Sequence, residues 1–219
     1  MKSGNQINWR QINNQHVPGK SGIYAWYYDH SLSDFDIQKV IDTLNQMSNT
    51  SLKKECVRDY LHEYLFSFYA ESPYDAHIAG KLKATYIGQL VHKQDVSDSL
   101  VERIVESPFV LYEIKKVLSS ITHSFTSPLY IGMAKNLSTR LKRHKALIEK
   151  YRTNGVASSV GSNSENDTSD HNFASRVVEK KFTETKLYVV IQTLDEEGSL
   201  HNVMENILNR INYPILGRN

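Results

Sequence analysis

Apolar positions recur along the chain in two rhythms, and the switches between them mark its elements. From Gly22 to Tyr28 the residues alternate, with Ile23, Ala25 and Tyr27 facing one way and Tyr24, Trp26 and Tyr28 the other. That predicts an aromatic strand partly covered on both faces. Residues 1–20 carry few signals beyond Trp9, Ile12 and a turn at Val17-Pro18-Gly19. Downstream, Ser33 and Asp36 cap a helix with Ile37, Val40, Ile41, Leu44 and Met47 at helical spacing. A second helix carries a wide stripe through Leu52, Cys56, Tyr60, Leu61, Tyr64, Leu65 and Phe68. After Pro73 the spacing is irregular; helical patterns then cover roughly 97–106 and 109–120, separated by Pro108.

Leu129-Tyr130-Ile131 reads as a short strand that stops at Gly132, and a polar turn leads into a basic helix from about Asn136. Leu137, Leu141 and Ile148 form its buried stripe, with Arg140 about 60° and His144 about 20° to one side of Leu137. Lys142 and Arg143 point away from that stripe. An arginine drawn toward the buried side costs desolvation unless something anionic meets it. On the helix alone, a structural arginine with a satisfied core histidine fits equally well. Thr153 to Asp170 is rich in Ser, Asn and Gly and reads as a flexible loop. Phe173, Val177 and Val178 suggest a short helix, and Leu187 to Ile191 a strand buried on both sides. The last helix opens at Gly198-Ser199, buries Leu200, Val203, Met204, Ile207, Leu208 and Ile211, and ends at Pro214.

These elements predict an α+β fold, a small antiparallel sheet of about three strands flanked by helices. Residues 1–28 and 128–219 supply the core, and 29–127 a mostly helical inserted subdomain whose aromatic helix could serve a homodimer or a partner protein. The 219 residues, 40% of them hydrophobic, suit that size, and the net charge of +2 hides an asymmetry. Lys135, Arg140, Lys142, Arg143, Lys145, Lys150 and Arg152 crowd one element against a single Glu149, while 29–127 leans acidic. Such a patch is the footprint of a polyanion binder, though a solvated helix face can look alike. One cysteine, Cys56, excludes an intrachain disulfide and a cysteine-cluster zinc site, and its apolar position suits a buried thiol. With no apolar leader and no window of membrane-spanning length, the expectation is a cytoplasmic protein with no membrane association.

Gly22-Ile23-Tyr24 on one strand, Tyr130-Ile131-Gly132 on another, and Arg140 ten residues past Tyr130 resemble the GIY-YIG nuclease family. The stretch YIGMAKNLSTRLKRH is especially similar to the homing-endonuclease and repair-nuclease versions of the motif. The chain departs from the compact family module by the long insertion between the two strands, and by Met133 where some repair members carry a lysine. A second YIG, Tyr86-Ile87-Gly88, lies inside that insertion, but Val96 stands ten residues beyond Tyr86 and no basic helix follows. Tyr130 is therefore read as the motif tyrosine.

The resemblance implies a metal-dependent endonuclease that hydrolyses DNA, with RNA not excluded. Tyr130 would be the general base, Tyr24 would position water or phosphate, and Arg140 would clamp the scissile phosphate. His144 could orient or deprotonate the nucleophile. Glu205, in MENILNRINYP, would hold Mg²⁺ (or Mn²⁺) as a hard carboxylate ligand, with Asn219 in support. Lys135, Lys142, Arg143 and Lys145 would contact nucleic acid. With no further DNA-binding domain in view, the expected setting is a stand-alone restriction or phage-defence nuclease. The competing readings are a non-catalytic nucleic-acid-binding module and a nuclease subunit active only in a protein complex.

Overall fold

The computed structural model describes residues 5–13, 16–69, 73–81, 83–91, 95–155, 165–194 and 200–217. Two compact units divide the chain, Met1–His30 with Ser119–Asn219, and Ser31–Leu118.

The first unit is built on an antiparallel sheet of four strands, β1 (Asn5–Asn8), β2 (Gly22–Tyr28), β5 (Tyr130–Ala134) and β6 (Leu187–Thr193), in the order β1-β6-β2-β5. The expectation of about three strands is thus corrected. The added strand reads NQIN, where Ile7 alone is apolar and buried, so its pairing with β6 is set by backbone partners from Asn5↔Ile191 to Asn8↔Tyr188 and not by a sequence rhythm. β6 is flanked on both sides, and its Leu187, Tyr188, Val189 and Ile191 are buried.

On β2 the alternation places Tyr24, Trp26 and Tyr28 on one buried face. The strand pairs with β5 in a register that sets Tyr24 opposite Gly132 and Trp26 opposite Tyr130. Helix α5 (Leu137–Asn154) packs on both strands, and α6 (Glu165–Glu179) packs along α5. Asn136 caps α5, its side chain accepting from the Thr139 amide at 2.9 Å. The Leu137 and Ser138 amides, which have no partner within the helix, donate to the carbonyls of Lys20 and Pro18 at 3.0 and 3.2 Å. The turn before β2 therefore fixes the start of the helix that faces β2. Thr153 and Asn154 still belong to α5, and residues 165–170 to α6, so the expected loop over 153–170 is replaced by helix at both ends.

Helix α7 (Leu200–Asn212) packs on β5 and β2. Beyond it, the amides of Ile215 and Leu216 donate to the carbonyls of Pro128 and Leu129 at 3.3 and 2.7 Å, anchoring the root of β5. The expected buried stripe of α7 is corrected: Val203, Ile207 and Ile211, at successive turns, are 51%, 44% and 68% exposed. Periodicity located the helix, but not which side of it meets the sheet.

The second unit holds α1 (Asp34–Gln46), α2 (Thr50–Leu61), α3 (Asp98–Glu106) and α4 (Val110–Phe125), the division between the units falling inside α4. Ser33 caps α1 through the Asp36 amide at 3.0 Å. Ile37, Ile41 and Leu44 of α1 meet Val57 and Leu61 of α2, Val101 and Ile104 of α3, and Leu111 of α4 in one core. Cys56 packs half-buried at its edge, and burial pushes its thiol pKa up, with Asp59 adding to the shift. The irregular stretch after Pro73 is a hairpin, β3 (Tyr74–Gly80) and β4 (Lys83–Leu90). Among the described residues, no helix is long and apolar enough to cross a membrane.

Candidate active site

Four side chains singled out from the sequence meet on the buried face of β2 and β5. Tyr24 is fully buried, and its phenolic oxygen accepts a hydrogen bond from Nε of Arg140 at 3.2 Å, across 116 residues of chain. The Tyr24 and Tyr130 rings lie 6.1 Å apart between centroids. His144, also fully buried, stands nearly perpendicular to both, 5.5 Å from Tyr24 and 5.9 Å from Tyr130. Arg140 is half-buried, one turn before His144 on the same side of α5. Helical spacing brings the arginine and histidine together, and strand pairing brings the tyrosines together.

Gly132 makes this packing possible. Opposite residues of an antiparallel pair share a face, and a Cβ at Gly132 would lie 2.5 Å from Oη of Tyr24 and 2.8 Å from Cε1 of Tyr130. Without a side chain there, the Tyr24 ring lies across the neighbouring strand. At Gly22 a Cβ would meet the Gln192 carbonyl oxygen at 2.4 Å, so that glycine protects the β2–β6 pairing.

The structure adds two residues that motif matching did not single out. Nε1 of Trp26 donates to Nδ1 of His144 at 3.1 Å in a buried bond. Phe173 of α6 closes the cluster, its ring 5.0 Å from His144, 4.9 Å from Tyr130 and 5.6 Å from Trp26. Trp26 was within reach of sequence reasoning, because it lies two residues after Tyr24 and so on the same face. Phe173 was not, since its place depends on how α6 docks. Behind Trp26 stands Trp9, 6.1 Å between ring centroids.

Of the four residues expected to contact nucleic acid, Lys135, Lys142 and Arg143 are exposed. Lys145 is corrected: it is only 7% exposed, its Nζ donates to the Trp9 carbonyl at 3.2 Å and sits 5.3 Å above the Trp9 ring. A desolvated ammonium over an indole face is an internal tether, so this lysine does not face a ligand. Arg152 is likewise engaged inside the protein, with Glu184 at 2.8 Å and with the Phe182 carbonyl.

Glu205 is half-buried on α7, the helix that packs on the two tyrosine strands. Among the described residues no group of three or more His, Cys, Asp and Glu could hold a metal ion. A single carboxylate still fits a hard divalent cation that keeps most of its waters and takes its remaining ligands from a substrate phosphate; it does not fit a transition metal that needs a closed protein shell. Asn219 lies outside the described residues.

The cluster combines two phenol oxygens, a guanidinium fork and an imidazole, packed together beside an exposed basic helix face. The Arg140 guanidinium already stands against the Tyr24 oxygen. Compared with family models, curated proteins and solved structures, the chain matches none.

Proposed function

We propose that the chain is a metal-dependent endonuclease of the GIY-YIG type, hydrolysing phosphodiester bonds of DNA. The observation that carries the reading is the Arg140–Tyr24 hydrogen bond inside the Tyr24–Tyr130–His144 cluster. A surface arginine kept only for solubility has no reason to turn inward onto a buried phenol. In this reading the Arg140 fork binds the scissile phosphate, and Tyr130, as phenolate, takes the proton of the attacking water. The new P–O bond forms as the bond to the leaving oxygen breaks, and that oxygen takes its proton from solvent. Glu205 would hold Mg²⁺ (or Mn²⁺), which when bound neutralises charge on the phosphoryl oxygens. Lys135, Lys142 and Arg143 hold the flanking backbone by charge alone. A restriction or phage-defence setting, and a homodimer for cutting both strands, belong to the same proposal.

The test incubates wild type, Arg140→Ala and Glu205→Ala with plasmid DNA and with RNA, each with and without Mg²⁺. Nicking by wild type that needs the metal, and that both substitutions abolish, is the expected result. Failure of wild type to cut either substrate under every condition removes the stand-alone enzyme. The exposed apolar turns of α7, Val203, Ile207 and Ile211, favour one second reading, a nuclease subunit that acts in a protein complex. Cleavage that begins only when a partner protein is added would select it.

A further inference from the structure

Trp26 and His144 constrain one another more tightly than ring packing requires. An indole Nε1 carries a hydrogen and can only donate. The nitrogen that faces it at 3.1 Å, Nδ1 of His144, must therefore present a lone pair. A neutral imidazole with a bare Nδ1 carries its hydrogen on Nε2. The ring is fully buried, lies within 22° of parallel to Trp26, and is enclosed by Tyr24, Tyr130 and Phe173. A second proton could enter only at Nδ1, and would break a buried hydrogen bond and leave the indole N–H without its partner.

We infer that Trp26 is a positioning residue that fixes His144 as the Nε2–H tautomer, so that His144 serves the site as a hydrogen-bond donor and not as its base. The role at a phosphodiester rests on the nuclease reading above; the tautomer does not. Of the two tasks open to His144 in a hydrolysis, orienting or deprotonating the nucleophile, the bond to Trp26 removes the second. The water proton then goes to the phenolate of the tyrosine pair, and the imidazole donates its hydrogen bond through Nε2 without gaining or losing a proton over the cycle.

The direct measurement is a long-range proton–nitrogen correlation spectrum of protein labelled with ¹⁵N-histidine, with the His144 signals identified by their loss in His144→Gln. Wild type should show an unprotonated Nδ1 and a protonated Nε2. The pattern should hold between about pH 6 and 8, where exposed histidines titrate. Trp26→Phe keeps an aromatic ring in the pocket and deletes the donor. In it the two nitrogen shifts should move toward the average of exchanging tautomers, His144 should begin to titrate, and kcat for plasmid nicking should fall roughly tenfold at unchanged KM. A protonated Nδ1 in wild type, or a wild-type ring that titrates with the exposed histidines, overturns the inference. Should Trp26→Phe fold poorly, replacement of tryptophan by benzothienylalanine removes the N–H at nearly constant shape, and the wild-type spectrum is read without Trp26→Phe. The two readings fail separately. Wild type with the expected tautomer and no cleavage under any metal condition sinks the nuclease and keeps the assignment. Wild type that cuts while showing Nδ1–H does the reverse.

Discussion

Tyr24 stands directly across the sheet from Gly132, close enough that one added methyl would touch its hydroxyl oxygen. The glycine of the second tripeptide is thus the floor on which the tyrosine of the first one rests, and the two motifs form one packed unit although a whole inserted unit separates them in sequence.

That relationship distinguishes the two YIG tripeptides of the chain by substitution. Gly132→Ala should displace the Tyr24 ring, cost about 1–3 kcal/mol of stability as an overpacked core does, and depress cleavage with it. Gly88, in the exposed hairpin, has nothing within 4 Å of a Cβ. Gly88→Ala should change stability by no more than about 0.5 kcal/mol and leave cleavage intact. Urea unfolding and plasmid nicking of the two variants make the comparison.

Arg140→Lys keeps the charge and loses the planar fork, and with it the Nε donor to Tyr24. Cleavage should fall by about 10²–10³-fold, the scale for removing a preorganised donor. Thermal unfolding should move little, because the arginine is half-buried and the fold is held by the apolar face beneath it. Activity retained within a few fold would mean that the guanidinium does not touch the reacting phosphate.

The corrected place of Lys145 separates two lysines that lie three positions apart. Lys142→Ala should weaken nucleic-acid binding and lower the slope of log K against log salt by about one counterion. Lys145→Ala should leave that slope unchanged and instead lower stability by about 1–3 kcal/mol, since it removes the tether to Trp9 and leaves that carbonyl without this donor. Filter binding across a salt series, paired with denaturant unfolding, tells the two apart.

His30 makes stability pH-dependent from below. Burial lowers its pKa from 6.5 to about 4, with Lys186 acting in the same direction and Asp29 against it. The unfolded chain therefore binds the proton more readily than the folded one, so stability rises with pH across the interval from about 4 to 6.5 and is lost as pH falls through it. The full difference is about 3 kcal/mol. His30→Phe should flatten that part of the stability curve, read by urea midpoints at stepped pH against wild type.

How much of this was legible in the sequence depends on how local each feature is. The β2 alternation, the Asn136 start of α5 and the Arg140–His144 face are properties of neighbouring residues, and period alone placed them. The meeting of Tyr24 with Tyr130 needed the motif, because no local pattern says which distant strands pair. Strand β1 was hidden by its polar letters, and the β3–β4 hairpin by strands too irregular to alternate cleanly. Lys145 misled for a different reason. On an isolated helix it is one more solvated cation, and only the carbonyl and ring of Trp9, arriving from the other end of the sequence, bury it. The exposed side of α7 went wrong in the same way: an apolar stripe reports that a face seeks cover, not that the fold supplies it.

Both tryptophans of the chain, Trp9 and Trp26, sit side by side behind the candidate site, and neither belongs to the second unit. Indole emission is thus an optical gauge of one half of the molecule. A shift in its wavelength or intensity reports events around His144, while the helices of residues 31–118 contribute to the helical ellipticity and carry no indole. Followed together on heating, the two signals state whether the inserted unit lives or dies independently of the sheet that carries it.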